Sequence, residues 1–240
     1  MDLCGKIGFF SLSLLLAGIG WSGETINTLT SQEKSEGWQL LWDGKTSEGW
    51  RSRNGNRFPA KGWKIEGGVL TVLPRRAGGG GGDIITCRTY TNFVLKVDFR
   101  MTPGANSGIK YLFNPRNFRG TTLEYQILDD KHPDAKGGRN GNRRVASFYD
   151  VMPAVGAQAK PIGEWNTAMI QCRGKKVEHW LNGRKVLSFE RGSAAFRQAV
   201  RRSKFGNFRG WGEQASGHIL LQDHSDQVSY RNIKIKVLDD

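Results

Sequence analysis

Histidine and cysteine are scarce in this chain, at four and three in 240 residues. Three cysteines exclude a disulfide framework, and no HxH, HExxH or CxxC spacing announces a metal site. Proline, at 7 residues, is far outnumbered by 32 glycines, so chain reversals fall mostly to glycine. No apolar run reaches the roughly 20 residues that a membrane-spanning helix needs. The run Gly78 to Gly82 lacks a following Gly-Lys-Ser/Thr and does not open a helix, which favours a surface loop over a nucleotide-binding one. Acidic residues are the minority, 22 against 36 basic, for a formal net charge of +14. The basic residues gather loosely at Arg139 to Arg144 and Arg197 to Arg209, without a helix-turn-helix, zinc-finger or RNA-recognition signature. Specific nucleic-acid binding is therefore not expected; a basic protein meeting anionic surfaces or polysaccharide is.

What remains is ordinary and globular, with 38% hydrophobic and 24% charged residues. The length suits one sizeable core. In residues 1–20, Lys6 precedes the uncharged run Ile7 to Gly20, which closes in small residues, the pattern of a cleaved secretory signal peptide. Residues 21–36 form a polar spacer, and 37–240 the domain. Export to the periplasm or the outside is the expectation, with no membrane span after cleavage. Cys4 would leave with the leader, so only Cys87 and Cys172 stay, either as a disulfide or as two buried thiols.

Eight Trp, 12 Phe and 5 Tyr lie in short runs punctuated by turn signals. Phe93 to Met101 alternates strictly, with Phe93, Leu95, Val97, Phe99 and Met101 on one face and Val94, Lys96, Asp98 and Arg100 on the other. Gly67-Gly68 and Asn182-Gly183 read as two-residue hairpin turns. Further strands are expected at Trp38 to Trp42, Ser107 to Phe113, Thr121 to Leu128, Ser147 to Val151, Trp165 to Cys172, Gly217 to Gln222 and Val228 to Val237. Ser193 to Ser203 reads as a short helix on a connection. About a dozen strands with so little helix imply an all-β fold of two packed antiparallel sheets.

In such a sandwich the inward face of a strand packs and the outward face is free for chemistry. On Thr121 to Leu128 the outward set is Thr122, Glu124 and Gln126, a carboxylate beside an amide. On the penultimate strand His218, Leu220, Gln222 and His224 share one face by the period of two. His179 sits near the Asn-Gly turn beside Trp180, and His132 lies in a loop dense in carboxylates that includes Asp129. Each alone is as well explained as a structural or solvated side chain. Together, histidines and a carboxylate on sheet faces suit proton transfer or divalent-metal binding.

Leu41-Trp42-Asp43-Gly44-Lys45, Gly49-Trp50, Gly82-Asp83-Ile84-Ile85-Thr86 and Asn106-Ser107-Gly108-Ile109 form an ordered series. It continues through Glu124-Tyr125-Gln126-Ile127-Leu128-Asp129, His132, Tyr149-Asp150, Lys160-Pro161-Ile162-Gly163-Glu164-Trp165-Asn166 and His179-Trp180-Leu181-Asn182-Gly183. Gly217 to His224 and Tyr230-Arg231-Asn232-Ile233 complete it. The series, from about Gly37 to Val237, resembles the 3-keto-disaccharide hydrolase family. The resemblance implies a concanavalin-like jelly roll, usually exported, that acts on carbohydrate. The glycine run before Asp83 and the basic stretch Arg139 to Arg144 depart from the family pattern.

The resemblance also implies a substrate oxidised at C3. That ketone acidifies the C2 proton and makes the C1 glycosidic oxygen a β leaving group, so cleavage by elimination and later hydration becomes available. On this reading Glu124 and His132 transfer protons. His179 and His224 bind oxygens, and with Glu124 they are candidate ligands of a divalent metal. Gln126, Asp129, Tyr149, Lys160, Glu164 and Gln222 position hydroxyls, and Trp165 offers a stacking platform. Two other readings are a non-catalytic carbohydrate-binding or adhesion module on the same fold, and a conventional glycosidase pairing Glu124 with Glu164.

Overall fold

The computed structural model describes residues 25–117 and 121–239. The expected leader, residues 1–20, lies outside them. Within them the chain runs through β1 (Trp38–Leu40), β2 (Trp50–Ser52), β3 (Trp63–Glu66), β4 (Val69–Val72), β5 (Ile84–Thr86), β6 (Phe93–Met101) and β7 (Asn106–Phe113). It continues with β8 (Leu123–Leu128), β9 (Asn166–Arg173), β10 (Lys176–Leu181), β11 (Arg184–Glu190), β12 (His218–Leu221) and β13 (Val228–Val237). Two short helices join them, α1 (Ser31–Ser35) and α2 (Ala194–Arg201). α1 falls inside the expected polar spacer, where Thr30 and Glu33 form a capping box.

The strands build two antiparallel sheets. The larger has the order β11-β10-β9-β6-β13-β4-β3, with β1 also paired to β13, and the smaller has β2-β5-β12-β7-β8. Their facing sides interdigitate in one core. Phe93, Leu95, Val97, Phe99 and Met101 come from the larger sheet, and Ile109, Tyr111, Leu123, Tyr125, Ile127, Ile219 and Leu221 from the smaller. This is the expected jelly-roll sandwich, and the alternation along β6 sets its inward face as read from the sequence. Both hairpin dipeptides carry two positive φ angles, 57° and 74° at Gly67-Gly68 and 50° and 80° at Asn182-Gly183, as a type I′ turn requires. Among the described residues no helix is long and apolar enough to cross a membrane. Cys87 is exposed and Cys172 buried, both as free thiols.

One local expectation needs correction. Ser147 to Val151 is not a strand: positive φ at Ala146 (64°) and Asp150 (62°) bends it into turns. Its Phe148 makes isolated bridges to Tyr125 and Met152, which lays the segment along the edge of β8. His218 keeps its alternation, with Ile219 and Leu221 in the main core and Leu220 outside it, but it lines a different hollow from Gln222 and His224. The register between β12 and β7 shifts between His218 and Leu220, beside the positive φ of Leu112 (52°). His218 Nδ1 is instead engaged by the carbonyls of Thr86 and Arg88, at 2.7 and 3.2 Å.

Candidate functional site

The face of the smaller sheet turned away from the core carries a polar cleft of about 110 Å³. Its floor follows from strand register. Lys110 on β7 stands opposite Glu124 on β8, Gly108 opposite Gln126, and the amide of Gln222 donates to the carbonyl of Gly108 at 3.0 Å. Because the inward neighbours Ile109, Tyr125 and Ile127 are locked in the core, this polar set has only one way to point.

Glu124 is the centre of the cleft. It is only 6% exposed, and Lys110, at 8%, places its Nζ 3.8 Å from Glu124 Oε2. Burial pushes the Glu124 carboxyl above its ordinary value; the ammonium groups of Lys110 and Lys204 pull it back only in part. Gly108 makes room for it, since a Cβ there would stand 2.3 Å from Glu124 Oε1. Around the carboxylate are two buried acceptors without a partner among the described residues, Gln126 Oε1 and Gln222 Oε1. The Gln126 amide is fixed by donation from Nε2 to Asn106 Oδ1 at 3.0 Å. Buried amide oxygens left bare in this way are free to accept a hydrogen bond from a ligand or a water.

The far wall comes from the loop before Val151 and the segment after α2. Arg143 bridges two carboxylates, donating from Nη1 to Asp134 at 2.7 Å and from Nε to Asp150 at 2.6 Å. Asp134 accepts from the Tyr149 hydroxyl at 2.7 Å, and Asp150 from the backbone N–H of Lys204 at 2.7 Å. Burial alone would raise the Asp134 carboxyl, but the bonds from Tyr149 and Arg143 outweigh it and hold it below its usual value. Burial raises the Tyr149 phenol, so this side chain stays protonated. Lys204 Nζ sits 4.1 Å from the centre of the Tyr149 ring, a cation–π contact. Burial lowers the Lys204 ammonium, opposed by Glu124 and Asp150.

Of the residues singled out from the sequence, Glu124, Gln126, Tyr149, Gln222 and His224 line the cleft together. His132 and Asp129 act behind it. His132 Nδ1 accepts from the Asp134 N–H at 3.0 Å, and Asp129 caps its neighbours by accepting from Gly104 N–H and Lys131 N–H. His179 belongs elsewhere: it is fully buried, with Nδ1 at 2.9 Å from the Ala146 carbonyl and Nε2 at 2.7 Å from the Tyr111 hydroxyl. The carbonyl can only accept, so Nδ1 carries the proton and Nε2 receives the Tyr111 hydroxyl. Both ring nitrogens are spent in the core, and burial drives the imidazole down to about 4. His179 therefore does not join His224 and Glu124 as a ligand set, and the described residues contain no group of three His, Cys, Asp or Glu placed for a metal. Lys160 and Glu164 are exposed and line no part of the cleft. Trp165 is stacked by Arg100 and Arg231 at 4.7 and 4.5 Å, side chains of β6 and β13 in the other sheet.

Lys110 and Lys204 were not singled out. A lysine flanked by Ile109 and Tyr111 in an otherwise apolar strand is a readable signal for the first. Lys204 sits in a basic run after a helix, and nothing local distinguishes it from its neighbours.

Residues 37–236 match the family described as the 3-keto-alpha-glucoside-1,2-lyase-like domain. A curated protein of Bacteroides thetaiotaomicron named 3-keto-disaccharide hydrolase is 37% identical over 233 residues, covering 85% of this chain and 80% of that one. A crystal structure of a candidate glycosyl hydrolase from Parabacteroides distasonis superposes with a TM-score of 0.79 at 33% identity, over 90% of this chain and all (100%) of the other. A second candidate glycosyl hydrolase of that organism gives a TM-score of 0.62 at 26% identity, over 84% and 99% of the two chains.

Proposed function

The chain belongs to the 3-keto-alpha-glucoside-1,2-lyase-like family, and from that premise we propose that its cleft breaks the glycosidic bond of 3-keto-glycosides by elimination, with Glu124 as the base. The observation that carries this reading is a buried carboxylate of raised pKa, set between two lysines and two unpartnered amide oxygens. An ordinary glycosidase needs two carboxylates flanking one bond. Among the described residues Glu124 is the one carboxylate lining the cleft, beside the lysines Lys110 and Lys204 and the imidazole of His224.

The chemistry asks for one base and nearby positive charge. Ionised Glu124 takes the C2 proton, and the C–H electrons move into the C2–C3 bond as the ketone becomes an enolate. Lys110 and Lys204 oppose the charge that gathers on that oxygen. The enolate then collapses: the ketone re-forms, a C1–C2 double bond appears, and the C1–O bond breaks. His224, exposed at the mouth of the cleft, gives the departing oxygen its proton. Water added across C1 and C2 completes a net hydrolysis. Gln126 and Gln222 accept hydrogen bonds from the ring hydroxyls, and Tyr149 with Lys204 walls the reacting sugar. The signal-like residues 1–20 support an exported site of action.

Product analysis with a 3-keto-glucoside beside its unoxidised parent tests this. Cleavage of the keto sugar alone is the expected result. Cleavage of the parent at a similar rate would point to the conventional glycosidase, and binding of both without turnover to a carbohydrate-binding module.

A further inference from the structure

We propose that a second pocket beside the cleft receives the leaving portion of the substrate and selects one that carries an acidic group, a carboxylate or a sulfate ester. This inference rests on the reading of the cleft as a 3-keto-glycoside site and extends it to the other half of the molecule.

The two compartments share a wall. Thr121, Lys204 and Phe205 line the cleft, and Trp211 lines the pocket. Phe205 stacks on Trp211 with ring centres 4.1 Å apart and planes within 10°, and Trp211 Nε1 donates to Thr121 Oγ1 at 2.9 Å. The cleft and the pocket thus lie on either side of one aromatic pair. The volumes divide the task. Pockets that bury small ligands hold about 300–1,000 Å³. At about 110 Å³ the cleft falls short of that, whereas the pocket, at about 630 Å³, lies well within it. One admits the reacting end of a sugar, the other a second unit.

The charge of the pocket specifies the unit. Arg197, Arg201 and Arg209 face it against, among the described residues, a single carboxylate, Glu213. That carboxylate is committed, accepting from Arg197 Nε and Nη2 at 2.8 Å each. Among the described residues lining the pocket, no second carboxylate faces Arg201 and Arg209. Guanidinium groups match carboxylate and sulfate oxygens in pairs, and they discriminate such ligands from neutral sugars. The basic run Arg197 to Arg209 thereby acquires a use as the wall of a subsite.

A matched pair of 3-keto-glucosides, one with glucose and one with glucuronate as leaving unit, tests the inference. In wild type at low salt, kcat/KM should favour the glucuronate by about tenfold, the scale of one hydrogen bond to a charged group. The double substitution Arg201→Gln with Arg209→Gln, both exposed positions, should cost the acidic substrate about tenfold more in kcat/KM than the neutral one, the scale of one hydrogen bond to a charged group. High salt should do the same in wild type. Equal kcat/KM for the two substrates in wild type, or an equal loss on both in the variant, overturns it. If neither substrate is cleaved, the reading of the cleft fails instead. Equilibrium binding of the unoxidised glucosyl-glucuronate then decides the pocket: weakened binding in the double variant upholds it, and equal or absent binding rejects it.

Discussion

At the scale of single residues, the cleft is a carboxylate whose ionised form is kept costly. A base of raised pKa is the stronger base, and it works only when deprotonated. Activity should therefore fall on the acid side at a pH above the ordinary glutamate value of 4.5. Replacing Lys110 by Met removes a charge that favours the ionised form, so the acid limb of the kcat/KM profile should move further up. A limb that stays in place would deny the coupling between the two side chains. Glu124→Gln should lower kcat by roughly 10²- to 10⁴-fold with the fold intact. Gly108→Ala should displace the carboxylate from beneath, since the new methyl would stand 2.3 Å from Oε1; a loss in kcat of about a hundredfold is the scale of an ångström-sized misplacement. Unchanged turnover in that variant would mean that Glu124 need not lie where it does. Glu124, Gln126 and Gln222 were legible from the sequence because strand alternation separates them from their apolar neighbours. His179 was misread for the converse reason. A histidine on a strand looks the same whether it faces solvent or a cavity between Tyr111 and Ala146, and only the tertiary packing tells them apart.

Elements decide how rigidly the wall holds. The turn segment along β8 is held by stacked rings, Phe148 on Phe189 at 4.8 Å and on Trp211 at 5.7 Å, contacts worth about 0.5–1.5 kcal/mol each beyond their burial. Arg143 ties that segment together through Asp134 and Asp150. Arg143→Gln should free Tyr149 and Lys204 and cut kcat/KM on a 3-keto-glucoside about tenfold, with a stability loss of roughly 1–3 kcal/mol from the carboxylates left behind. Arg143→Lys should not rescue it, because one ammonium does not reproduce a planar fork aimed at two acids. Rescue by lysine would reduce the bridge to simple charge. The long strands and both hairpins could be read directly, since alternation and Gly-Gly or Asn-Gly turns are local signals. β2 and β5 could not, at three residues each, being too short for a period to declare itself.

For the whole molecule, the two-sheet architecture follows from the number of amphipathic strands, but the partition of strands between sheets does not. Trp165 illustrates the gap. It belongs to the same ordered motif series as the cleft residues, yet it packs on arginines of the opposite sheet, because sequence order does not reveal which sheet a connection serves. Burial of His179 also gives the fold a pH signature. Its imidazole titrates near 4 folded and near the ordinary 6.5 unfolded, so between those values the unfolded chain binds the extra proton. Stability should thus be full above 6.5 and fall by about 3 kcal/mol as pH drops to 4. Thermal melts of His179→Gln should show a flatter slope across that window; an unchanged slope would place the acid sensitivity elsewhere.

The measurement closest to the central claim follows the C2 hydrogen. A 3-keto-glucoside deuterated at C2 is incubated with wild type and with Glu124→Gln, and the sugar product is weighed by mass spectrometry. Removal of that hydrogen by Glu124 predicts slowed cleavage by wild type, loss of the deuteron to water, and little cleavage by the variant. Cleavage at the normal rate with the deuterium retained at C2 would contradict elimination, and with it the role assigned to Glu124.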